Sequence, residues 1–226
     1  MTYDLLIGDR SYSSWSLRGW LLFAKFNVDV TVHDTRFYIP QFQEDLKPFT
    51  PARTVPVMRL PEGGVVMDSL GMAETLAERH PDKGYWPENT EARALARGMV
   101  AEMHSGYGAL RSACPMNLRQ SFLDFPVSEE VAADLARIEQ LWAAARNLAT
   151  DGPWLFGQYS IADAFFAPVA ARMAGYGLPI SEASKPYVVE TISDPVFLEW
   201  RRRGLQDAPQ SNYDLPYAAG KWPGPD

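Results

Sequence analysis

Sulfur and imidazole are scarce in this chain: 226 residues contain one cysteine, Cys114, and three histidines, His33, His80 and His104. A single thiol excludes an internal disulfide framework, a CxxC redox pair and a cysteine-rich zinc site. Three scattered histidines give metal chemistry little to work with, so no metal is expected. Positive charge is also in deficit. With 21 Lys and Arg against 28 Asp and Glu, the net charge is -7, and nothing draws the whole molecule to nucleic acid or to an anionic membrane surface. A negatively charged ligand must therefore be met by a local site. No apolar run approaches the roughly 20 residues of a membrane span. The start, Met1-Thr2-Tyr3-Asp4, enters a strand pattern without the basic and apolar regions of a signal peptide. A cytoplasmic protein is expected.

Apolar and aromatic residues are present in ordinary globular amounts, at 46% and 12%, and the length allows one large core or two modest ones. The first part alternates between periods. Tyr3 to Gly8 is a short apolar strand, Trp15 to Phe26 has helical spacing behind Ser14 as N-cap, and Val28 to His33 alternates as a second strand. A parallel pairing through a right-handed crossover is the usual outcome. A polar connection, Asp34 to Arg53, carries three prolines. Two short β-branched runs, Thr54 to Leu60 and Val65 to Ser69, flank the turn Pro61-Glu62-Gly63-Gly64 and predict a hairpin. A helix over Ser69 to His80 then ends at Pro81. The order is βαβ-ββα over residues 1–80, followed by a Pro- and Gly-containing linker over 81–87.

Residues 88–226 read as all-helical. One long helix is expected from Glu91 to Ala113, and another opens at Ser128 with Glu129 and Glu130 in its positive first turn. Ser160-Ile161-Ala162-Asp163 has capping-box spacing before an almost wholly apolar run, the expected centre of the helical part. Asp194-Pro195 has N-cap and N1 character, Gly204 suits C′, and the tail from Gln206 is expected to wrap irregularly over the surface.

The hairpin organises the first part. Pro56 cannot donate to a ladder and belongs at a strand start, an edge or a bulge. A cis Val55-Pro56 bond would leave the N–H and C=O of Val55 facing outward, free to pair with an extended ligand backbone.

Val55-Pro56, Asp68-Ser69 and the segment Gly157 to Asp163, in this order and spacing, resemble the cytosolic glutathione transferases over most of the chain. Ser11-Tyr12-Ser13-Ser14-Trp15-Ser16-Leu17-Arg18 looks most like the serine-type motif of the zeta and related bacterial classes. The resemblance implies a thioredoxin-like N-terminal domain followed by an all-helical C-terminal domain, α/β plus all-α, usually as a homodimer. It implies glutathione as co-substrate and a small electrophile as second substrate, in detoxification chemistry. In that frame Ser11, in the turn before the first helix, would hold the glutathione thiolate with the help of the helix dipole; Tyr12 and Ser13 are the alternatives. Asp68 would hold the γ-glutamyl ammonium, and Ser69 with the helix start its carboxylate. Val55 and Pro56 would take the cysteinyl backbone, and Gln41 or Arg53 the glycyl carboxylate.

The second substrate would lie against His104, Tyr107 and Arg111, whose spacing predicts one shared helix face. Zeta isomerases carry an arginine where this chain has Gly175, with Arg172 one turn earlier, a departure that argues against maleylacetoacetate isomerisation. The leading expectation is a glutathione transferase. The alternatives are a glutathione-dependent isomerase or peroxidase, and a non-catalytic interaction protein that keeps the fold.

Overall fold

The computed structural model describes residues 2–225. The chain begins with β1 (Tyr3–Ile7), α1 (Ser14–Ala24) and β2 (Val30–Asp34), then runs through α2 (Gln41–Leu46) and a 3-10 turn at Lys47–Phe49. The hairpin β3 (Val57–Arg59) and β4 (Val65–Met67) leads into α3 (Ser69–Arg79). Among the described residues four strands form one sheet in the order β2-β1-β3-β4. β1 runs parallel to β2 with Tyr3 opposite Val30, and antiparallel to β3 with Leu5 opposite Met58. This is the expected thioredoxin-like arrangement, with one addition: the connection over 34–53 contains α2, a helix too short and polar to show an apolar stripe.

The helical part follows as α4 (Thr90–Ser105), α5 (Gly108–Ala113), α6 (Glu129–Asn147), α7 (Ile161–Gly175), α8 (Lys185–Ser193) and α9 (Pro195–Gly204). The single long helix expected over 91–113 is broken. Gly106 is extended (φ -103°, ψ -165°) and Tyr107 is left-handed (φ 56°), so α4 stops and α5 starts on a new axis. A Cβ at position 106 would sit 2.7 Å from the Glu102 carbonyl oxygen, so the break needs glycine. The first N-cap also shifts by one residue: Ser13, not Ser14, accepts the Ser16 N–H. Gly204 is the last residue of α9 and not a left-handed C′. A Cβ there would come within 3.0 Å of Ser11 Oγ and Arg10 Cβ, so glycine permits the close approach of α9 to the β1–α1 turn.

The apolar run after the capping box does form the centre. All of α7 from Ile161 to Met173 is buried, and it packs on α1, α4 and α8. Its start is held by Asp163, whose carboxylate accepts from Ser160 N–H (2.8 Å), Ser160 Oγ (3.0 Å) and Leu155 N–H (3.0 Å). Burial pushes the Asp163 pKa up to about 6 while these donors pull it down. The connection over 81–87 is packed, with Tyr85 stacked on Phe26 at 3.9 Å and its hydroxyl donating to the Leu22 carbonyl. The tail is only partly irregular cover: Gly220 bridges to Ser121 and Trp222 is buried. Among the described residues no helix is long and apolar enough to cross a membrane, and no group of His, Cys, Asp or Glu could hold a metal ion.

Asp163→Ala would leave two buried N–H groups without acceptors, and is expected to cost about 2–4 kcal/mol of unfolding free energy in a urea titration. An unchanged midpoint would contradict the anchoring role. Cys114 is buried and its thiol pKa is pushed up to about 12 by that burial. A disulfide reagent should therefore titrate it fast only after denaturant is added.

Candidate functional site

Two hollows meet at the seam between sheet and helices, and they share Trp15. The first, of about 240 Å3, is lined by Thr54, Val55, Pro56, Asp68, Ser69 and His104 besides Trp15. The Val55-Pro56 bond is cis, and the main-chain N–H and C=O of Val55 take no hydrogen bond from the described residues. Ser69 is 1% exposed and its hydroxyl is buried without a partner. An orphaned hydroxyl at a helix start is a donor in want of an acceptor. Asp68 caps α3 by accepting the Leu70 N–H at 2.7 Å. Its own backbone has φ 72°, a conformation L-residues adopt at a cost of order 1–3 kcal/mol. Its other carboxylate oxygen lies 3.2 Å from His104 Nε2 on α4, so the pair bridges the two halves of the chain. These groups fit the ammonium, carboxylate and extended backbone of a γ-glutamyl peptide.

The second hollow, of about 440 Å3, also has Trp15 in its wall, with Ser13, Ser14, Arg111 and Arg172. The turn before α1 curls tightly, the N–H groups of Tyr12 and Ser13 both bonding to Asp9 O. That curl turns Ser11 away from the seam. Its hydroxyl donates to the Gly204 carbonyl at 3.0 Å, and Arg119 Nη1 lies 3.4 Å off. Ser11, the expected thiolate donor, thus serves the contact with α9 and lines neither hollow. Ser13 is committed to its cap and to Ser16 Oγ at 2.8 Å. Tyr12 stacks on Tyr213 at 4.3 Å, and its hydroxyl accepts the Gln210 N–H. Ser14 is the first residue of α1 and lines the hollow, and its hydroxyl has no hydrogen-bond partner among the described residues. Sequence reading had given Ser14 the capping role; the register of three closely spaced serines cannot be resolved without the turn.

Arginines surround the shared wall. The Arg18 guanidinium lies 4.3 Å from the centre of the Trp15 ring, and that of Arg111 4.7 Å from it. Arg18 is 1% exposed; its Nε donates to the Phe165 carbonyl, and Nη1 is buried without a partner. Arg172 donates from Nε to Cys114 O and from Nη1 to Pro168 O, and Arg111 from Nη1 to Gly106 O. Burial, reinforced by Arg111, lowers the Arg172 pKa to about 10, and burial with Arg172 and Arg111 nearby holds that of Arg18 well below its ordinary value. Among the described residues none of the three forms an ion pair with a carboxylate.

The remaining expected residues divide. His104 belongs to the first hollow and Arg111 to the second. Tyr107 sits at the helix break with its hydroxyl donating to Glu102 Oε1 and lines neither hollow, so the predicted common face of the three does not exist. Gln41 is exposed on α2 and donates to Asp45 Oδ1; Arg53 is exposed beside Thr54. Arg172 and Ser14 are the lining residues that sequence reasoning did not place there; Arg18 lines neither hollow but lies against the Trp15 ring they share.

Comparison with known proteins gives a consistent result. Residues 12–79 match the family model described as glutathione S-transferase, N-terminal domain, and residues 126–203 that described as glutathione S-transferase, C-terminal domain. A Burkholderia glutathione transferase homologue, solved with bound glutathione, superposes with a TM-score of 0.67 at 22% identity, covering 92% of this chain and 100% of that one. Glutathione transferase Omega 2S of Trametes versicolor gives 0.63 at 20% identity, covering 91% and 95%. A probable maleylacetoacetate isomerase of Caenorhabditis elegans is 32% identical over 103 residues, 46% of this chain and 47% of its own length. The maleylacetoacetate isomerase of Dictyostelium discoideum is 27% identical over 92 residues, 40% of this chain and 42% of its own. The aligned region thus spans about half the length of these curated relatives or less. With both family models matched in order over more than half of its residues, and with the fold to accompany them, the chain belongs to the glutathione S-transferase family.

Proposed function

We propose that this protein binds glutathione in the first hollow and directs its sulfur, as thiolate, at an electrophile in the second. The observation that carries the reading is the set of unpaired groups at one seam: the free main chain of Val55, the orphaned hydroxyl of Ser69 and the unpartnered hydroxyl of Ser14. In this reading Asp68, steadied by His104, takes the γ-glutamyl ammonium. Ser69 and the N-terminus of α3 take the adjoining carboxylate. Val55 pairs with the cysteinyl backbone, as one residue of an added strand would. The sulfur then lies near the start of α1. There the Ser14 hydroxyl, the helix dipole and the nearby guanidiniums all favour the charged form, so the thiol loses its proton to solvent near neutral pH. The thiolate attacks the electrophilic carbon, a carbon–sulfur bond forms, and the leaving group departs with its electron pair.

A second reading keeps the same thiolate. Two curated relatives are named maleylacetoacetate isomerases, and a glutathione-dependent isomerase would add the sulfur and expel it again, with no leaving group. Assays for conjugation and for cis–trans isomerisation of a maleyl diacid separate the two.

Ser14→Ala is expected to shrink the ultraviolet thiolate band of bound glutathione at pH 7. It should also lower kcat/KM by about 10- to 100-fold, the worth of one charge-assisted hydrogen bond. Ser11→Ala should leave the band in place. The reverse pattern would return the role to Ser11. In calorimetry, Asp68→Ala is expected to weaken glutathione by roughly 10-fold or more, and His104→Ala by less, since it acts through the carboxylate. No binding by the unaltered protein would end both readings.

A further inference from the structure

The second hollow has two properties that a generic electrophile site does not need. It is lined by Arg111 and Arg172 and by no carboxylate, in a chain whose net charge is -7. Arg10, Arg59, Arg79 and Arg137 each meet a carboxylate within 4 Å, whereas Arg111 and Arg172 in its wall, and Arg18 against the Trp15 ring, donate to carbonyl oxygens. Guanidiniums buried without an opposite charge are costly unless something supplies one. Arg172 is 5% exposed and uses Nε and Nη1 on the main chain, which keeps Nη2 for a ligand.

The second property is an aromatic wall. Tyr12 and Tyr213 stack face to face at 4.3 Å with 12° between their planes, and Phe37 and Trp15 continue the lining. Tyr213 comes from the tail, held in place by Gln210, which donates to Asp9, and by Arg36, which donates to the Ala208 carbonyl. At about 440 Å3 the hollow has room for a substituted ring.

We infer that the second substrate is a planar aromatic electrophile bearing an anionic group, with the ring against Tyr12, Phe37 and Tyr213 and the acid on Arg111 and Arg172. The inference rests on the glutathione-dependent reading and narrows its substrate class. An aliphatic diacid would use the arginines and leave the aromatic wall idle. A neutral arene would do the opposite. A carboxylate or sulfonate on the ring satisfies both, and a guanidinium fork suits either acid. For a chloroarene the sulfur bonds to the ring carbon bearing chlorine, the carbon–chlorine bond breaks, and chloride leaves with the electron pair.

The test compares 4-chloro-3,5-dinitrobenzoate with 1-chloro-2,4-dinitrobenzene, each kcat/KM divided by its uncatalysed rate constant with glutathione. The unaltered protein is expected to prefer the benzoate by at least about tenfold, and Arg111→Gln to cut that ratio about tenfold, whatever loss of rate the two substrates share. Benzoate should also inhibit at least about tenfold more tightly than maleate. A preference for the neutral ring, a ratio that Arg111→Gln does not move, or tighter inhibition by maleate would overturn the assignment. Should neither ring react, calorimetry on the two ready-made S-aryl glutathione conjugates decides. Tighter binding of the carboxylated conjugate, lost in Arg111→Gln, upholds the anion site while removing the transferase reaction. Equal binding overturns the site itself.

Discussion

The structure turns on a guanidinium placed where an apolar side chain would be the ordinary choice. Arg18 projects from α1 into the seam against α7, where its Nε meets the Phe165 carbonyl and its plane lies over Trp15 and Phe165. A charge so deeply buried tolerates little rearrangement, because a shift of either helix would strand it without its acceptor. The sheet half and the helical half are therefore held in one relation, and Trp15 is held with them. Since Trp15 walls both hollows, the spacing between the peptide site and the electrophile site follows from this single anchoring. His104 and Asp68 make a second tie across the same seam, closer to solvent.

Much of the fold was legible because local chemistry and burial point the same way. The strand, helix, strand opening, the hairpin and the capping box of α7 each show a short pattern that the final packing rewards. Asp163 is the clearest instance: the spacing from Ser160 marks a helix start, and the buried carboxylate satisfies the donors that start exposes. What escaped were elements whose reason lies elsewhere in the chain. Helix α8 lies against α7 and α9, and it begins with a lysine and a proline. The break at Gly106 and Tyr107 falls inside a stretch of good helical spacing. It becomes intelligible only once Tyr107 is seen reaching Glu102, whose carboxylate also takes Arg137 of α6.

The candidate site divides in the same way. Val55-Pro56 and Asp68-Ser69 could be read because their role lies in the backbone and in residues adjacent in sequence. The serine motif could not be ordered by reading alone: Ser11, Ser13 and Ser14 are chemically equal, and only the curl onto Asp9 O sends one hydroxyl to α9, one to a cap and one to the hollow. Of the arginines, Arg111 was legible and its neighbours were not. Arg18 and Arg172 are far from it in sequence, and an overall acidic composition disguises a local excess of positive charge.

The contact between Gly204 and Ser11 has a consequence for how the molecule is made. The turn that presents Ser14 leans on residues near the opposite end of the chain: the Gly204 carbonyl, Trp200, whose indole donates to Arg10 O, and Gln210 over Tyr12. During synthesis this turn lacks these supports until residues 200–210 have emerged, well after β4 has completed the sheet. Competence for chemistry thus waits on that later segment, and a chain cut before it would carry the sheet without a finished reactive corner.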